Sequence, residues 1–271
     1  MNIQSNAKIN LGLSVLEKRN DGFHEIESLF LPIPWYDEIE LQIAEKLKFT
    51  SEGIFIDGNV ESNLCVKAYH LLKKHYDIPP VHIHLNKKIP IGAGLGGGSS
   101  NAAFVLKGLV KLFDLKISIK ELERLADQLG SDCSFFIQNR PALVTGKGEK
   151  LDNLIDFSLS THCLVVYPKL HISTQEAYRL VKPCIKKNKI SKLAQLPYTK
   201  WQNELINDFE APILNAYPRL KQLKRKLMDM GASYVSMSGS GSSFFAFFKY
   251  RPEVTFEKLN VDWKQFELQF D

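Results

Sequence analysis

The sequence lacks a strong excess of charge of either sign. Its 271 residues include 35 lysines and arginines against 30 aspartates and glutamates, which gives a formal net charge of +5. The most visible basic run has no interleaved aromatic residues and is typical of a solvated segment. Its members are Lys182, Lys186, Lys187, Lys189 and Lys192. We therefore expect no nucleic-acid partner.

Cysteines are also few, and none of them are spaced as pairs. The four, Cys65, Cys133, Cys163 and Cys184, form no Cys-x-x-Cys motif, and a chain of this length does not need disulfides. The sequence does not open with a cationic start followed by an apolar stretch, so we expect no signal peptide. The longest aromatic cluster, Phe244–Phe248, is far too short to span a bilayer. These absences predict reduced thiols, a cytoplasmic location and no membrane partner.

Glycine, by contrast, is concentrated in one place, because five of the sixteen glycines lie within residues 92–98. The surrounding glycine segment, residues 90–100, reads Pro-Ile-Gly-Ala-Gly-Leu-Gly-Gly-Gly-Ser-Ser. Its few side chains leave backbone N–H groups open to an anion, for which phosphate is the natural candidate. The segment has no P-loop lysine, and it starts too late in the chain for a Rossmann fingerprint. A flexible linker or a tight turn is the alternative.

The flanks of the glycine segment predict a strand before it and a helix after it. Val81, Ile83 and Leu85 alternate with polar residues, which indicates a half-buried strand. Ser99 or Ser100 is the predicted N-cap of a helix with one apolar side. The positive end of that helix dipole would face an anion held by the segment.

Two charged residues could act on a bound phosphate. Lys8 lies on the polar face of an alternating first strand, and Asp132 follows Gly130 at a predicted helix end. Taken alone, Lys8 is most often solvent-facing and Asp132 most often caps the next helix. Beside a phosphate site, however, a carboxylate could accept the proton of an alcohol, and an ammonium would favour its ionised form. Because the glycine segment holds no lysine, Lys8 is the candidate cation.

A second loop of small residues, residues 238–243, lies between two strand-like segments at 234–237 and 244–248. It is either a hairpin connection or a second backbone surface that approaches a ligand closely. The apolar pattern weakens around 151–160. We therefore expect two domains, 1–155 and 156–271.

Together these segments resemble the GHMP kinase superfamily, whose members phosphorylate small alcohols. The resemblance rests on Ala-Lys-Ile-Asn-Leu at 7–11, the glycine segment, Gly-Ser-Asp at 130–132 and Met-Ser-Gly-Ser-Gly at 237–241. One branch of the superfamily phosphorylates the 2-hydroxyl of 4-diphosphocytidyl-2-C-methyl-D-erythritol in non-mevalonate isoprenoid synthesis. Residues 19–26, which read Arg-Asn-Asp-Gly-Phe-His-Glu-Ile, resemble the corresponding segment of that branch. A kinase for homoserine or mevalonate, and a non-catalytic ligand sensor on the same fold, are the alternatives.

This resemblance implies an α+β, two-domain fold. The N-terminal domain would be like the second domain of ribosomal protein S5, and the C-terminal domain would be ferredoxin-like. The resemblance also implies ATP and Mg²⁺, the metal being held mainly by ATP phosphates with help from Ser99 or Ser100. The implied small-molecule partner is a cytidine diphosphate-linked polyol, and the chain would be a monomer or a homodimer.

The resemblance implies roles for individual residues. Lys8 and Asp132 resemble the catalytic pair, in which Asp132 accepts the proton of the substrate hydroxyl. Asn10 and Gly239 resemble substrate contacts. The implied ATP phosphate site consists of Pro90, Ile91, Gly92, Ala93, Gly94, Leu95, Gly96, Gly97, Gly98, Ser99 and Ser100.

The cytosine of the implied substrate would be held by three residues. Phe23 and Tyr178 resemble the aromatics that stack on the base, and His24 resembles the residue that hydrogen-bonds its edge. The chain departs from the family pattern at Phe23, where tyrosine is usual, and at Asn6 and Ser134, where proline is usual. None of these departures removes a group that the chemistry requires.

Overall fold

The chain folds into a mixture of helices and strands, and a computed structural model describes residues 1–154, 157–185, 189–254, 256 and 259–270. The strands are β1 (Asn2–Lys18), β2 (His24–Ile43), β3 (Lys48–Gly53), β4 (Val81–Lys87), β5 (Ala142–Gly146), β6 (Lys150–Asn153), β7 (Leu159–Tyr167), β8 (Tyr234–Met237), β9 (Phe244–Phe248) and β10 (Asp262–Phe270). The helices are α1 (Leu64–His75), α2 (Gly97–Leu112), α3 (Ile119–Asp127), α4 (Phe135–Gln138), α5 (Thr174–Leu180), α6 (Ile190–Leu193), α7 (Glu210–Ala216) and α8 (Pro218–Asp229), with 3₁₀ turns at Val60–Ser62 and Tyr198–Asn203. The α+β class is confirmed. Within the described ranges, no helix has the length and apolar character needed to cross a bilayer.

Two compact units make up the chain, and they do not follow one cut in the sequence. The first unit contains Met1–Lys8, Pro34–Ile91 and Gly96–Arg140. The second contains Ile9–Ile33, Gly92–Leu95 and Pro141–Asp271. Strands β1 and β2 and the glycine segment therefore contribute residues to both units. The boundary expected at 155–156 lies outside the described residues and stays a prediction.

In the first unit, β4 lies between two partners. It pairs in parallel with β3 and antiparallel with the end of β2, where Ile39 lies opposite Leu85 and Leu41 opposite Ile83. Val81, Ile83 and Leu85 are buried and alternate with half-exposed residues, as the sequence predicts. Helix α2 packs with α1, α3 and α4. Its buried apolar residues are Ala102, Ala103, Val105, Leu106 and Leu109.

The second unit contains a four-stranded antiparallel sheet in the order β10-β7-β9-β8. Numbered along the chain within this sheet, the strands lie in the order 4-1-3-2. That order is the one of a ferredoxin-like sheet, which agrees with the implied C-terminal fold. Residues 26–30 of β2 also belong to this unit, where they pair antiparallel with β5, and β5 pairs with β6. Every residue of β9 is buried.

Helix α2 begins differently from the prediction. It starts at Gly97, and its N-cap is Gly96 in the left-handed conformation, with φ of 68°. The prediction that Ser99 or Ser100 caps the helix is therefore wrong, because both lie within its first turn. No side chain caps α2. Since the first N–H groups of a helix have no intrahelical partner, α2 presents open donors at the glycine segment.

The cysteines are unpaired, and three of them are buried. Burial raises the pKa of the Cys65 and Cys133 thiols to about 12. It also raises the pKa of Cys163 well above that of a free thiol. Cys184 is exposed. The buried three are accordingly inert, protonated packing residues rather than nucleophiles.

Candidate active site

In the first unit, the structure brings Lys8 and Asp132 together as an ion pair. The Lys8 Nζ atom lies 3.3 Å from Asp132 Oδ2. The Lys8 side chain comes from β1 and is 4% exposed, whereas that of Asp132, in the turn between α3 and α4, is 29% exposed. Lys8 is therefore not an ordinary surface lysine, and Asp132 is not the N-cap of α4, a position that Ser134 occupies. The acid retains access to solvent, and hence to a substrate.

The start of α2 lies against this pair. A Cβ atom built on Gly96 would be 3.0 Å from both Cγ and Cε of Lys8 and 3.1 Å from Cζ of Phe136. The absence of a side chain at Gly96 thus allows the lysine stem to pack on the helix entrance. Ser100, in the first turn, is fully buried, and its Oγ has no hydrogen-bond partner among the described residues. The first unit therefore joins a cation, a carboxylate and a helix start with open N–H donors.

The two positions where the family usually has proline lie near this pair in the chain. Asn6 and Asn139 exchange amide hydrogen bonds: Asn6 Nδ2 donates to Asn139 Oδ1 at 3.0 Å, and Asn139 Nδ2 donates to Asn6 Oδ1 at 2.8 Å. Ser134 is buried as the N-cap residue of α4, without a side-chain capping bond. The Asn6–Asn139 pair gives the strand carrying Lys8 a polar anchor that a proline could not supply.

In the second unit, the loop 238–243 braces part of the glycine segment. It connects β8 to β9, so it is a hairpin connection. It also touches residues 92–95: Ser238 Oγ donates to the Gly94 carbonyl at 2.8 Å, and Ser243 N–H donates to the Ala93 carbonyl at 3.2 Å. A Cβ atom on Gly94 would lie 2.0 Å from the Ser238 carbonyl oxygen. Small residues are needed here because two backbones approach each other closely.

Asn10 and Gly239 also lie together in the second unit. Asn10 is 1% exposed, its N–H donates to Ser238 Oγ at 3.2 Å, and its Nδ2 donates to Ser28 Oγ at 3.1 Å. A Cβ atom on Gly239 would lie 3.2 Å from Asn10 Oδ1. Asn207 supports the same loop by donating from Nδ2 to the carbonyls of Met237, at 2.7 Å, and Gly239, at 2.8 Å. The pair is held rigidly by buried hydrogen bonds.

Of the residues expected to hold a base, His24 and Tyr178 are in direct contact. Their ring centroids are 4.7 Å apart and their planes are 18° from parallel. Tyr178 also meets Phe209 edge to face at a centroid distance of 4.9 Å. Burial, together with the positive charge of Lys18, lowers the pKa of His24. The imidazole is therefore neutral at neutral pH, with one ring nitrogen to donate and one to accept a hydrogen bond.

The sequence patterns missed two residues that lie beside predicted site residues. They are Lys147, next to the exposed Phe23, and His171, next to Gly92. The Phe23 ring is 55% exposed, and Lys147 Nζ lies 5.1 Å from its centroid, which is a cation–π distance. His171 lies beside Gly92, where a Cβ atom would be 2.2 Å from the His171 Nδ1 atom. Lys147 lies between two glycines, Gly146 and Gly148, and this pattern could have pointed to it. No local pattern marked His171.

The described residues do not build a metal cage of their own. They contain no group of three or more histidine, cysteine, aspartate or glutamate side chains placed to hold a metal ion. A divalent cation at this site would therefore take most of its ligands from phosphate oxygens. The unpartnered Ser100 hydroxyl is the protein oxygen whose surroundings fit such a role.

Comparison with protein families gives two successive matches. The model described as "GHMP kinases N terminal domain" matches residues 63–145, and the model described as "GHMP kinases C terminal" matches residues 181–261. Two relatives named 4-diphosphocytidyl-2-C-methyl-D-erythritol kinase are similar over nearly their whole length. The one from Cytophaga hutchinsonii is 48% identical, covering 94% of this chain and 95% of its own. The one from Azobacteroides pseudotrichonymphae is 49% identical, covering 93% and 95%.

Solved structures show the same similarity. A crystal structure of 4-(cytidine 5'-diphospho)-2C-methyl-D-erythritol kinase is 33% identical, covers 92% of this chain and 90% of its own, and has a TM-score of 0.80. A homoserine kinase from Cytophaga hutchinsonii is 17% identical, covers 97% and 93%, and has a TM-score of 0.66. At that identity the second comparison concerns the fold alone.

The contact between Gly94 and loop 238–243 is tested by comparing two glycine-to-alanine variants. Gly94 and Gly231 both have positive φ, +78° and +89°, but a Cβ atom on Gly231 would meet nothing within 4 Å. Gly231→Ala should lose about 1 kcal/mol of unfolding free energy through backbone strain alone. Gly94→Ala should lose at least about 2 kcal/mol more, because its Cβ collides with a backbone carbonyl. Urea denaturation measures both, and equal losses would contradict the close packing of the two loops.

Proposed function

Because the chain belongs to the GHMP kinase family, we propose that it transfers the terminal phosphoryl group of ATP to the 2-hydroxyl of 4-diphosphocytidyl-2-C-methyl-D-erythritol. The observation that carries this function is the 48–49% identity, over nearly the whole chain, to two kinases named for that substrate. The reaction belongs to non-mevalonate isoprenoid precursor synthesis. A cytoplasmic location and a monomeric or homodimeric state remain predictions from the sequence.

Asp132 is the proposed general base. Its carboxylate takes the proton of the 2-hydroxyl, and the freed oxygen attacks the γ-phosphorus of ATP. The bond from that phosphorus to the β–γ bridging oxygen breaks, ADP leaves, and the proton remains on Asp132. Lys8, with Nζ 3.3 Å from the carboxylate, brings positive charge towards the transferring oxygens.

The glycine segment is the proposed site for the ATP phosphates. The uncapped start of α2 supplies open N–H donors and the positive end of the helix dipole. Mg²⁺, when bound there, would supply positive charge that offsets the charge of the ATP phosphates. We assign the Ser100 hydroxyl to that metal or to the phosphate beside it, since it is buried without another partner among the described residues.

We propose that the second unit recognises the substrate. His24 has a neutral imidazole, so it can donate to one atom and accept from another on the cytosine edge. Tyr178, which stacks on the His24 ring, and the exposed Phe23 are the proposed aromatic contacts to the base. Asn10 and Gly239 are proposed as contacts to the polyol, supported by the rigid loop 238–243.

A panel of alcohols tests the proposed function. ADP release should be fastest with 4-diphosphocytidyl-2-C-methyl-D-erythritol and close to background with homoserine or mevalonate. A higher kcat/KM for homoserine or mevalonate would identify a different kinase of the same family. ATP and substrate binding without any turnover would identify a ligand sensor.

Replacing the proposed base should stop catalysis without weakening nucleotide binding. Asp132→Asn should lower kcat by about 10²–10⁴-fold, the usual contribution of a positioned general base. The dissociation constant for ATP should stay close to that of the unmodified protein. Asp114→Asn is a matched control, because the Asp114 side chain is 87% exposed and forms an ion pair with Lys116. Retained turnover in Asp132→Asn would remove Asp132 from its role.

Removing the imidazole should weaken substrate binding selectively. His24→Ala should raise the KM for the cytidyl substrate about tenfold, corresponding to the loss of one hydrogen bond and one stacked ring. The KM for ATP should not change. His70→Ala serves as the control, since the His70 side chain is 51% exposed and pairs with Glu61. An unchanged KM for the cytidyl substrate would mean that other residues read the base.

A further inference from the structure

In the first unit, a buried polar network is centred on Asp37. Asp37 in β2 is fully buried and forms an ion pair with Lys87, the last residue of β4. Its Oδ1 accepts the N–H groups of Lys88 at 2.6 Å and Ile89 at 2.7 Å. Its Oδ2 also accepts Nδ2 of Asn101, in α2, at 2.8 Å. One carboxylate thus ties together β2, the chain entering the glycine segment, and the second turn of α2.

The ammonium of this network lies directly against the first residue of α2. A Cβ atom on Gly97 would be 2.8 Å from Lys87 Nζ and 2.9 Å from Cγ2 of Ile89. Lys87 is 3% exposed, and its ammonium is paired with Asp37. Burial lowers the pKa of Lys87, and Asp37 opposes that shift. Lys87 therefore lies against the start of α2, and Asp37 holds it there.

We propose that Asp37 and Lys87 are positioning residues for the ATP phosphates. They fix both ends of the glycine segment, residues 88–89 before it and Gly97 and Asn101 after it, so that the N–H groups of the first helical turn converge on one point. This inference rests on the proposed function, because it assumes that ATP binds at that point. It concerns nucleotide binding only, and the alcohol substrate should be unaffected.

General physical chemistry favours this role over a merely stabilising one. A buried ion pair is weak evidence for stability, because apolar residues of similar volume often replace such a pair without loss. The Asp37 carboxylate, however, accepts two consecutive backbone N–H groups and a side-chain amide in addition to the ammonium. Apolar replacements could fill the volume, but they could not fix the direction of those backbone groups.

The experiment compares Lys87→Met, the double variant Asp37→Asn/Lys87→Met, and Lys88→Met as a matched control. Lys87→Met leaves a buried carboxylate without its counter-charge, so its thermal midpoint should fall sharply. The double variant removes both charges and should recover most of that midpoint. Its KM for ATP should nevertheless remain about tenfold higher, because the helix start is displaced. Its KM for the cytidyl substrate should match that of the unmodified protein.

Lys88→Met removes a positive charge one position away that is 45% exposed and paired with Glu38. It should leave the KM for ATP unchanged. If it raises that KM as much as the double variant does, general surface charge is responsible and the inference is wrong. The inference is also wrong if the double variant folds and binds ATP like the unmodified protein.

Direct ATP binding separates this inference from the proposed function. If the unmodified protein does not bind ATP in calorimetry, the proposed function fails and the inference fails with it. If the unmodified protein binds ATP and the double variant does not fold, Asn101→Ala replaces it, because this change removes one anchor and keeps both charges. Asn101→Ala should raise the KM for ATP and leave that for the cytidyl substrate alone. An unchanged KM for ATP would then overturn the inference.

Discussion

The buried ammonium of Lys8 is the constraint on which the candidate active site depends. A charge that is removed from water is unfavourable unless a counter-charge compensates it, and Asp132 supplies that charge at 3.3 Å. The lysine stem packs closely on Gly96, where a Cβ atom would lie 3.0 Å from its Cγ and Cε. A strand, a turn and a helix start, far apart in the chain, are therefore fixed by one electrostatic requirement. The chemistry proposed for the pair uses the same proximity.

In the second unit, small residues allow two backbone segments to approach each other closely. Loop 238–243 and residues 92–95 touch through backbone atoms, so side chains there would hold them apart. The hydroxyl of Ser238 and the N–H of Ser243 convert this close approach into directional bonds. Small residues in both segments thus allow close backbone packing between two loops of the same chain. Glycine and serine composition alone could not distinguish this use from ligand binding.

Local patterns predicted much of the first unit. The alternation at 81–85 and the apolar side of α2 reflect contacts between near neighbours in sequence, which periodicity reports well. The same reasoning placed Gly96 inside a loop rather than at the N-cap of α2, because left-handed geometry at a glycine leaves no sequence signal. The burial of Lys8 was also not visible, since a lysine on a polar strand face is ordinarily exposed.

Long-range contacts were beyond such patterns. The stacking of His24 on Tyr178 joins residues more than 150 positions apart. No local pattern pointed to either residue, and both were identified as site residues through the family resemblance. The Asp37 network joins β2 to the glycine segment through a carboxylate that resembles any other strand residue in sequence. The interleaving of the two units in β1 and β2 has no compositional mark either. These features arise from tertiary packing, which overrides local preference.

The cysteine distribution has a practical consequence for spectroscopy. Three thiols are sequestered and resist deprotonation, whereas Cys184 is exposed. A maleimide fluorophore or nitroxide should therefore attach at one known position of the unmodified chain. Its backbone N–H donates to the Val15 carbonyl at 2.9 Å, so a probe there would report on the end of β1. Ligand-dependent changes could be followed by fluorescence or electron paramagnetic resonance without engineering a cysteine-free background.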